Sequence, residues 1–220
     1  MKFFIDTANL EEIHEARSLG MLDGITTNPS LISKESVSNQ KEIRSHYLSI
    51  CHLLKNEEDI SAEVISTNYE DMVKEGEELS LVHPRIIVKI PMTQDGIKSI
   101  NFLSKKGIKT NCTLVFSEGQ SILAAKSGAY YVSPFIGRID DISYNGLHLI
   151  KNIKKIYENY NFKTRILAAS IRTPLHIIEC SKIGIYAVTS PIQVIKNLLR
   201  NPLTDIGLDK FMKDYKNKII

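Results

Sequence analysis

The chain lacks most of what marks the specialised protein classes. It carries 3 cysteines in 220 residues (Cys51, Cys112 and Cys180), an odd number set far apart, so a disulfide framework is excluded. No apolar, signal-like segment stands at the N-terminus, and with so few cysteines the expectation is a reducing cytoplasm. No apolar run approaches the ~18 residues of a membrane span. The formal net charge is only +3, with lysine and arginine scattered, so no basic face for nucleic acid is expected. Lys151, Lys154 and Lys155 do lie together, but at helical spacing they read as a solvated helix face. The 6 histidines form no pair at ligand spacing near a cysteine or carboxylate cluster, so no metal is expected. Neither a G-x-G-x-x-G nor a P-loop pattern occurs, and no nucleotide or other cofactor is signalled.

What is present is an ordinary globular composition, 43% apolar and 24% charged, arranged as a repeated unit. A short apolar run is followed by an amphipathic helix, over and over. Phe3–Ile5, Gly24–Thr27, Ile60–Ile65, Arg85–Pro91, Ile108–Val115, Tyr130–Ser133, Ile166–Ala169 and Ala187–Thr189 read as strands. Several helix starts are marked. Asn9 with Glu12, and Ser117 with Gln120, have the spacing of capping boxes, Thr93 stands as a cap, and Thr173-Pro174 places proline at a first helical position. Gly20, Gly107, Gly128 and Gly184 close helices. Ser33–Gln40 and the stretch from Gly137 to Gly146 read as loops. Eight strand–helix units with short connections imply parallel strands. Across 220 evenly filled residues they imply a single closed (β/α)8 barrel domain rather than a doubly wound open sheet. Residues 202–216 remain as an extra C-terminal helix. Its stripe of Leu208, Phe211, Met212 and Tyr215 is expected to pack on the outer ring or on a neighbouring subunit.

One residue breaks the apolar pattern of the fourth strand. Ile86, Ile87, Val88 and Ile90 form a continuous β-branched run that Pro91 ends, and Lys89 sits in its middle. A buried ammonium is costly without a partner. Two readings follow: a lysine poised to attack carbonyl carbon and form a Schiff base, or a lysine in a buried ion pair or snorkelling off an edge strand.

In such a barrel the active site lies at the C-terminal ends of the strands. Asp6, then Thr26, Thr27 and Asn28, then Glu63, Lys89, Asn111, Thr113, Ser133 and Ser170 fall at that end of successive strands. Each has a plainer reading alone: Asp6 as a helix cap, Asn28 as a turn residue before proline, Glu63 as an outward-facing surface carboxylate. Together they converge on Lys89. A lysine nucleophile with two carboxylates for proton transfer suits making and breaking a carbinolamine and a C–C bond. Arg138 and Arg172 follow the sixth and seventh strands, and arginine's planar fork in late barrel loops suits a phosphate. The competing readings are a salt bridge from Arg138 to Asp140 or Asp141, and a solvated loop position for Arg172.

Over essentially its whole length the chain resembles the small transaldolases of the transaldolase/fructose-6-phosphate aldolase family. The segments that carry the likeness are FFIDTAN, GITTNPSLI, SAEVIS, IIVKIPMT, IKTNCTLVFS, YVSPFIGRIDD and ILAASIRTP. The resemblance implies a metal-free Schiff-base mechanism on sugar phosphates. Lys89 would attack the C2 ketone of a ketose phosphate. Asp6 would take the C4 hydroxyl proton, and Glu63 with Thr113 would act through a water. Thr26, Asn28, Asn111 and Ser133 would hold the three-carbon unit, and Ser170, Arg138 and Arg172 the phosphate. The sister aldolases look to have glutamine and tyrosine where this chain has Glu63 and Phe135, the transferase pattern. An aldolase that releases dihydroxyacetone is the alternative, and a barrel that only binds sugar phosphates a remoter one. A ring-based homo-oligomer, pentameric or decameric, is also implied.

Overall fold

The computed structural model describes residues 1–55 and 57–218. Eight parallel strands follow in chain order: β1 (Lys2–Asp6), β2 (Gly24–Thr26), β3 (Asp59–Glu63), β4 (Ile86–Pro91), β5 (Thr110–Val115), β6 (Tyr131–Pro134), β7 (Arg165–Ala168) and β8 (Ala187–Ser190). Each pairs with the next, and β8 pairs back onto β1, so the sheet closes into a barrel. Around it run α1 (Leu10–Ser18), α2 (Pro29–Ile32), α3 (Gln40–Leu53), α4 (Tyr69–Val82), α5 (Gln94–Lys105), α6 (Glu118–Lys126), α7 (Ile136–Asp140), α8 (Gly146–Asn159), α9 (Pro174–Ile183) and α10 (Ile192–Lys196), followed by α11 (Pro202–Lys218). Among the described residues no helix is long and apolar enough to cross a membrane.

The helix starts follow the local chemistry of the sequence. Thr93 accepts from the Gly96 N–H, Ser117 from Gln120 and Thr173 from His176, each satisfying a backbone donor that the first turn leaves free. The two capping boxes are only half made. Asn9 accepts from the Glu11 and Glu12 N–H groups, but its own N–H goes to Thr7 Oγ1. Gln120 reaches back to the Phe116 N–H, one residue before the cap.

Two apolar cores result from the closure. The larger lies between the strands and the helices, filled by residues such as Ile25, Ile60, Val88, Ile100, Val132 and Ile150. The smaller comprises Phe4, Ile87, Tyr131, Leu167 and Ala187, one residue from each of five strands. It plugs the barrel below the polar strand ends. Gly24 is required there: a Cβ at that position would lie 2.6 Å from the Phe4 ring. Above the plug the next side chains inward, two residues further along, are polar on four of these five strands: Asp6, Lys89, Ser133 and Thr189, with Ala169 on β7 the exception.

Three features depart from the sequence reading or go beyond it. The turn read at Asn28-Pro29-Ser30 after β2 opens the short helix α2, and the loop read from Gly137 after β6 holds most of α7, both too short for a 3.6-residue period to show. In α6 the buried residues are Ser121 and Ala124, while Leu123 is 52% exposed, because small residues let this helix sit close to the strands. The C-terminal helix α11 has no buried residue: Leu208, Phe211, Met212 and Tyr215 are all exposed, so the outer ring of its own barrel does not take up its apolar stripe.

Candidate active site

Strand pairing fixes the site. In the β3–β4 register Glu63 stands beside Lys89, in β4–β5 Lys89 stands beside Asn111, and in β1–β2 Asp6 stands beside Thr26. Lys89 is 5% exposed, and its Nζ lies 2.9 Å from Glu63 Oε2 and 2.9 Å from the Thr27 carbonyl oxygen. Lys89 is therefore half of a buried ion pair, one of the two readings left open by the sequence, and that pairing is what makes its burial tolerable. It does not snorkel outward. Glu63, for which a surface position was the plainer reading, faces Lys89.

The neighbouring polar groups form two short chains. Thr26 Oγ1 donates to Asp6 Oδ1 at 2.7 Å, and Thr189 Oγ1 lies 2.6 Å from Thr26 Oγ1. Asn111 donates through Nδ2 to Ser61 Oγ at 3.1 Å and accepts from Ser133 Oγ at 2.8 Å. Thr113 is fully buried, and among the described residues its hydroxyl has no partner. A buried hydroxyl of that kind needs a water or ligand to bond. Asn28 Oδ1 caps α2 by accepting from the Leu31 N–H, as the turn reading expects, which leaves its amide Nδ2 for a ligand.

Two strand exits are bent. β5 carries a register irregularity between Cys112 and Val115, with Leu114 at φ 57°. The bulge breaks the alternation after Asn111 and Thr113 and returns Val115 to the barrel–helix core. Ser170, just beyond β7, adopts φ 58°, a left-handed conformation costly for a residue with a Cβ. Both bends lie at the end of the barrel that holds Lys89.

The arginines stand apart from this buried set, at the rim. Arg138 lies on α7 with its guanidinium 5.1 Å from the centre of the Phe135 ring, and makes neither of the salt bridges considered for it. Arg172 instead forms a bidentate pair with Asp141, donating from Nη2 to Oδ2 at 2.6 Å and from Nη1 to Oδ1. The Arg172 hydrogen bonds, reinforced by the charges of Arg172 and Arg138, hold Asp141 below the usual carboxylate range. Both arginines thus act on the same small region. Close by, His176 Nε2 lies 3.0 Å from Asp140 Oδ2, tying the start of α9 to α7.

No competing nucleophile is available from the cysteines. All three are free and buried, and burial pushes the thiols up, Cys51 to about 11 and Cys112 and Cys180 to about 12. Ser61 and Thr189 were missed by the sequence reading. A strict period of two would have found both, since Ser61 precedes Glu63 by two positions and Thr189 follows the plug residue Ala187 by two.

The likeness of the chain to known proteins runs along nearly its whole length. A family model described as transaldolase/fructose-6-phosphate aldolase matches residues 3–219. A protein of Phocaeicola vulgatus named "Probable transaldolase" is 58% identical over 216 residues, covering 98% of each chain. One of the same name from Cytophaga hutchinsonii is 57% identical with the same coverage. Among solved structures, a thiamine phosphate pyrophosphorylase from Pyrococcus furiosus superposes with a TM-score of 0.62 over 86% of this chain and 85% of its own. At 15% identity that likeness concerns the barrel alone. The match to the family model and these identities, which span nearly the whole chain, show that this chain belongs to the transaldolase/fructose-6-phosphate aldolase family.

Proposed function

We propose that the chain is a transaldolase. It would move a dihydroxyacetone unit from fructose 6-phosphate or sedoheptulose 7-phosphate to erythrose 4-phosphate or glyceraldehyde 3-phosphate, within the non-oxidative pentose phosphate pathway. The observation that carries this reading is the buried Lys89–Glu63 contact at 2.9 Å, in a chain whose relatives bear that name. Lys89 passes a proton to Glu63, and the freed amine adds to the C2 ketone. Loss of water from the carbinolamine needs a proton back. Glu63 supplies it through a water that Thr113 holds, a role suited to Thr113's unpartnered hydroxyl. Asp6 takes the proton from the C4 hydroxyl as the C3–C4 bond breaks, and the electron pair moves into the iminium to give an enamine. Glyceraldehyde 3-phosphate leaves. The enamine carbon then attacks the acceptor aldehyde, Asp6 returns its proton to the new hydroxyl, and water releases the product from Lys89.

Asn28, Asn111 and Ser133 hold the hydroxyls of the three-carbon unit, and Thr26 orients Asp6. Arg138, Arg172 and Ser170 take the phosphate, with Arg172 already oriented by Asp141. The three free thiols fit a reducing cytoplasm. The unpartnered stripe on α11 fits a homo-oligomer, pentamer-based and possibly decameric, in which that helix lies across a neighbour. Neither nucleic acid nor a membrane is a partner in this reading. Purified protein given fructose 6-phosphate should release glyceraldehyde 3-phosphate only when erythrose 4-phosphate is present, with sedoheptulose 7-phosphate appearing. Equal release without an acceptor, with free dihydroxyacetone accumulating, identifies an aldolase instead.

Phe135 bears on that choice. Its ring packs 5.7 Å from the Phe116 ring and beside the Arg138 guanidinium, at the mouth of β6. A phenyl ring has no proton to give the enamine carbon, so the three-carbon unit stays on Lys89 until an aldehyde arrives. Phe135→Tyr adds an acid there and should raise acceptor-independent cleavage by about tenfold or more. Unchanged dihydroxyacetone release from that variant would remove Phe135 from the account of partition.

A further inference from the structure

We infer that Thr189, on β8, is a positioning residue for C–C bond cleavage, acting through Thr26 on Asp6. The inference rests on the proposed role of Asp6 as the base in that step.

β2 and β8 flank β1 on its two sides, so the seam where the barrel closes brings Thr26 and Thr189 together beside Asp6. Thr189 is 3% exposed and Thr26 1%, so water does not compete for either hydroxyl. Thr26 Oγ1 has contacts at 2.7 Å to Asp6 Oδ1 and 2.6 Å to Thr189 Oγ1. A threonine hydroxyl carries a single hydrogen, and an ionised carboxylate can only accept. Thr26 must therefore give its hydrogen to Asp6, and the Thr189 contact is a hydrogen bond only if Thr189 donates. The direction of the whole chain follows: Thr189 to Thr26 to Asp6. Without that donation the Thr26 oxygen has no donor in a buried site and nothing else fixes the rotation of its hydroxyl, so its hold on Asp6 loosens. With it, Oδ1 is fixed by Thr26, and Oδ2, which has no hydrogen-bond partner among the described residues, is presented to the substrate's C4 hydroxyl. Successive hydrogen bonds in a dry site also polarise one another, which strengthens the hold on the carboxylate.

Among the described residues this chain shares no hydrogen bond with Lys89 or Glu63, so the two halves of the reaction separate. Thr189→Val removes the hydroxyl and keeps the shape. With fructose 6-phosphate and borohydride it should trap substrate on Lys89 as the parent does, while kcat for acceptor-dependent transfer falls roughly fivefold to tenfold with KM nearly unchanged, the size of one lost hydrogen bond. Thr189→Ser should restore the rate. In a Thr26→Val background Thr189→Val should add no further loss, because its route to Asp6 is already cut. If Thr189→Val folds poorly, Thr189→Ala carries the same comparison. A parental kcat in Thr189→Val or, should that fold poorly, in Thr189→Ala, an equal loss of trapping and turnover, or full additivity with Thr26→Val overturns the inference. Asp6→Asn reports on the underlying reading: if it cleaves at the parental rate, Asp6 is not the base. If it is inactive while Thr189→Val is silent, only the relay fails.

Discussion

Lys89→Met should leave a folded barrel that no longer forms an adduct and turns over at least about 10⁴-fold more slowly, a loss of the size seen when a covalent nucleophile is removed. Borohydride reduction in the presence of fructose 6-phosphate should attach the sugar to Lys89 in the parent, read by mass spectrometry of the peptide, and to nothing in the variant. The fold survives because methionine is close to lysine in length and volume and suits the buried, inward-facing position above Ile87. What remains is Glu63 without its cation. Breaking a fully buried pair costs about 3–5 kcal/mol. Glu63 has a side chain 14% exposed and can take up a proton, so the cost here should lie at or below that range. An adduct on another lysine, or near-parental turnover in Lys89→Met, would move the chemistry elsewhere in the chain and sink the Schiff-base assignment.

The barrel was legible because its signals are redundant. Strand runs, caps and closing glycines repeat unit after unit, and an error in one leaves the others standing. The site was legible for a related reason: polar residues at Asp6, Glu63, Lys89, Asn111, Thr113 and Ser133 contradict the apolar demand of a strand interior, and each contradiction marks the same end of the barrel. Pairing was not legible. Whether Lys89 met a carboxylate or stood alone depends on the β3–β4 register, and nothing in a strand's own residues states its register to a strand far along the chain. The rim was read least well. Arg172 meets Asp141 through the turn of α7, a five-residue helix that leaves no periodic trace. The exposed stripe on α11 was visible as amphipathic, but no described residue of this chain buries it.

The division between plug and polar layer explains how such a site can be stable. Phe4, Ile87, Tyr131, Leu167 and Ala187 fill the barrel below, with the Phe4 and Tyr131 rings edge-to-face at 5.9 Å. The layer above is thereby free of the task of filling space, and its hydroxyls, amides and charges pair with one another across strands instead, the Thr113 hydroxyl excepted. Stability and chemistry occupy successive layers of one barrel, as the two ends of such folds lead one to expect. A substitution in the polar layer should therefore act mainly on rate, and one at the rim mainly on substrate recognition.

Gly137→Ala tests the rim, and a large effect is expected from a single methyl. Gly137 sits in α7, where its N–H donates to the Ser170 carbonyl at 3.0 Å. A Cβ on it would lie 2.4 Å from that carbonyl oxygen and 2.7 Å from Arg172 Nε. The side chain of Arg172 could swing away, but the carbonyl belongs to a backbone already held in a left-handed turn at Ser170, so it yields only by moving the β7–α9 loop. Both proposed phosphate ligands on that loop, Ser170 and Arg172, would shift together, and α7 would carry Arg138 with it. The KM for fructose 6-phosphate should rise on the order of 10²-fold, since a misplacement of about an ångström costs that much in positioning. Unphosphorylated fructose, which makes no use of the arginines, should react no worse than with the parent, and Lys89 should still be trapped by borohydride with dihydroxyacetone. Equal losses on fructose and fructose 6-phosphate would instead mean that α7 supports the barrel mouth as a whole, and that Arg138, Arg172 and Ser170 are not where the phosphate binds.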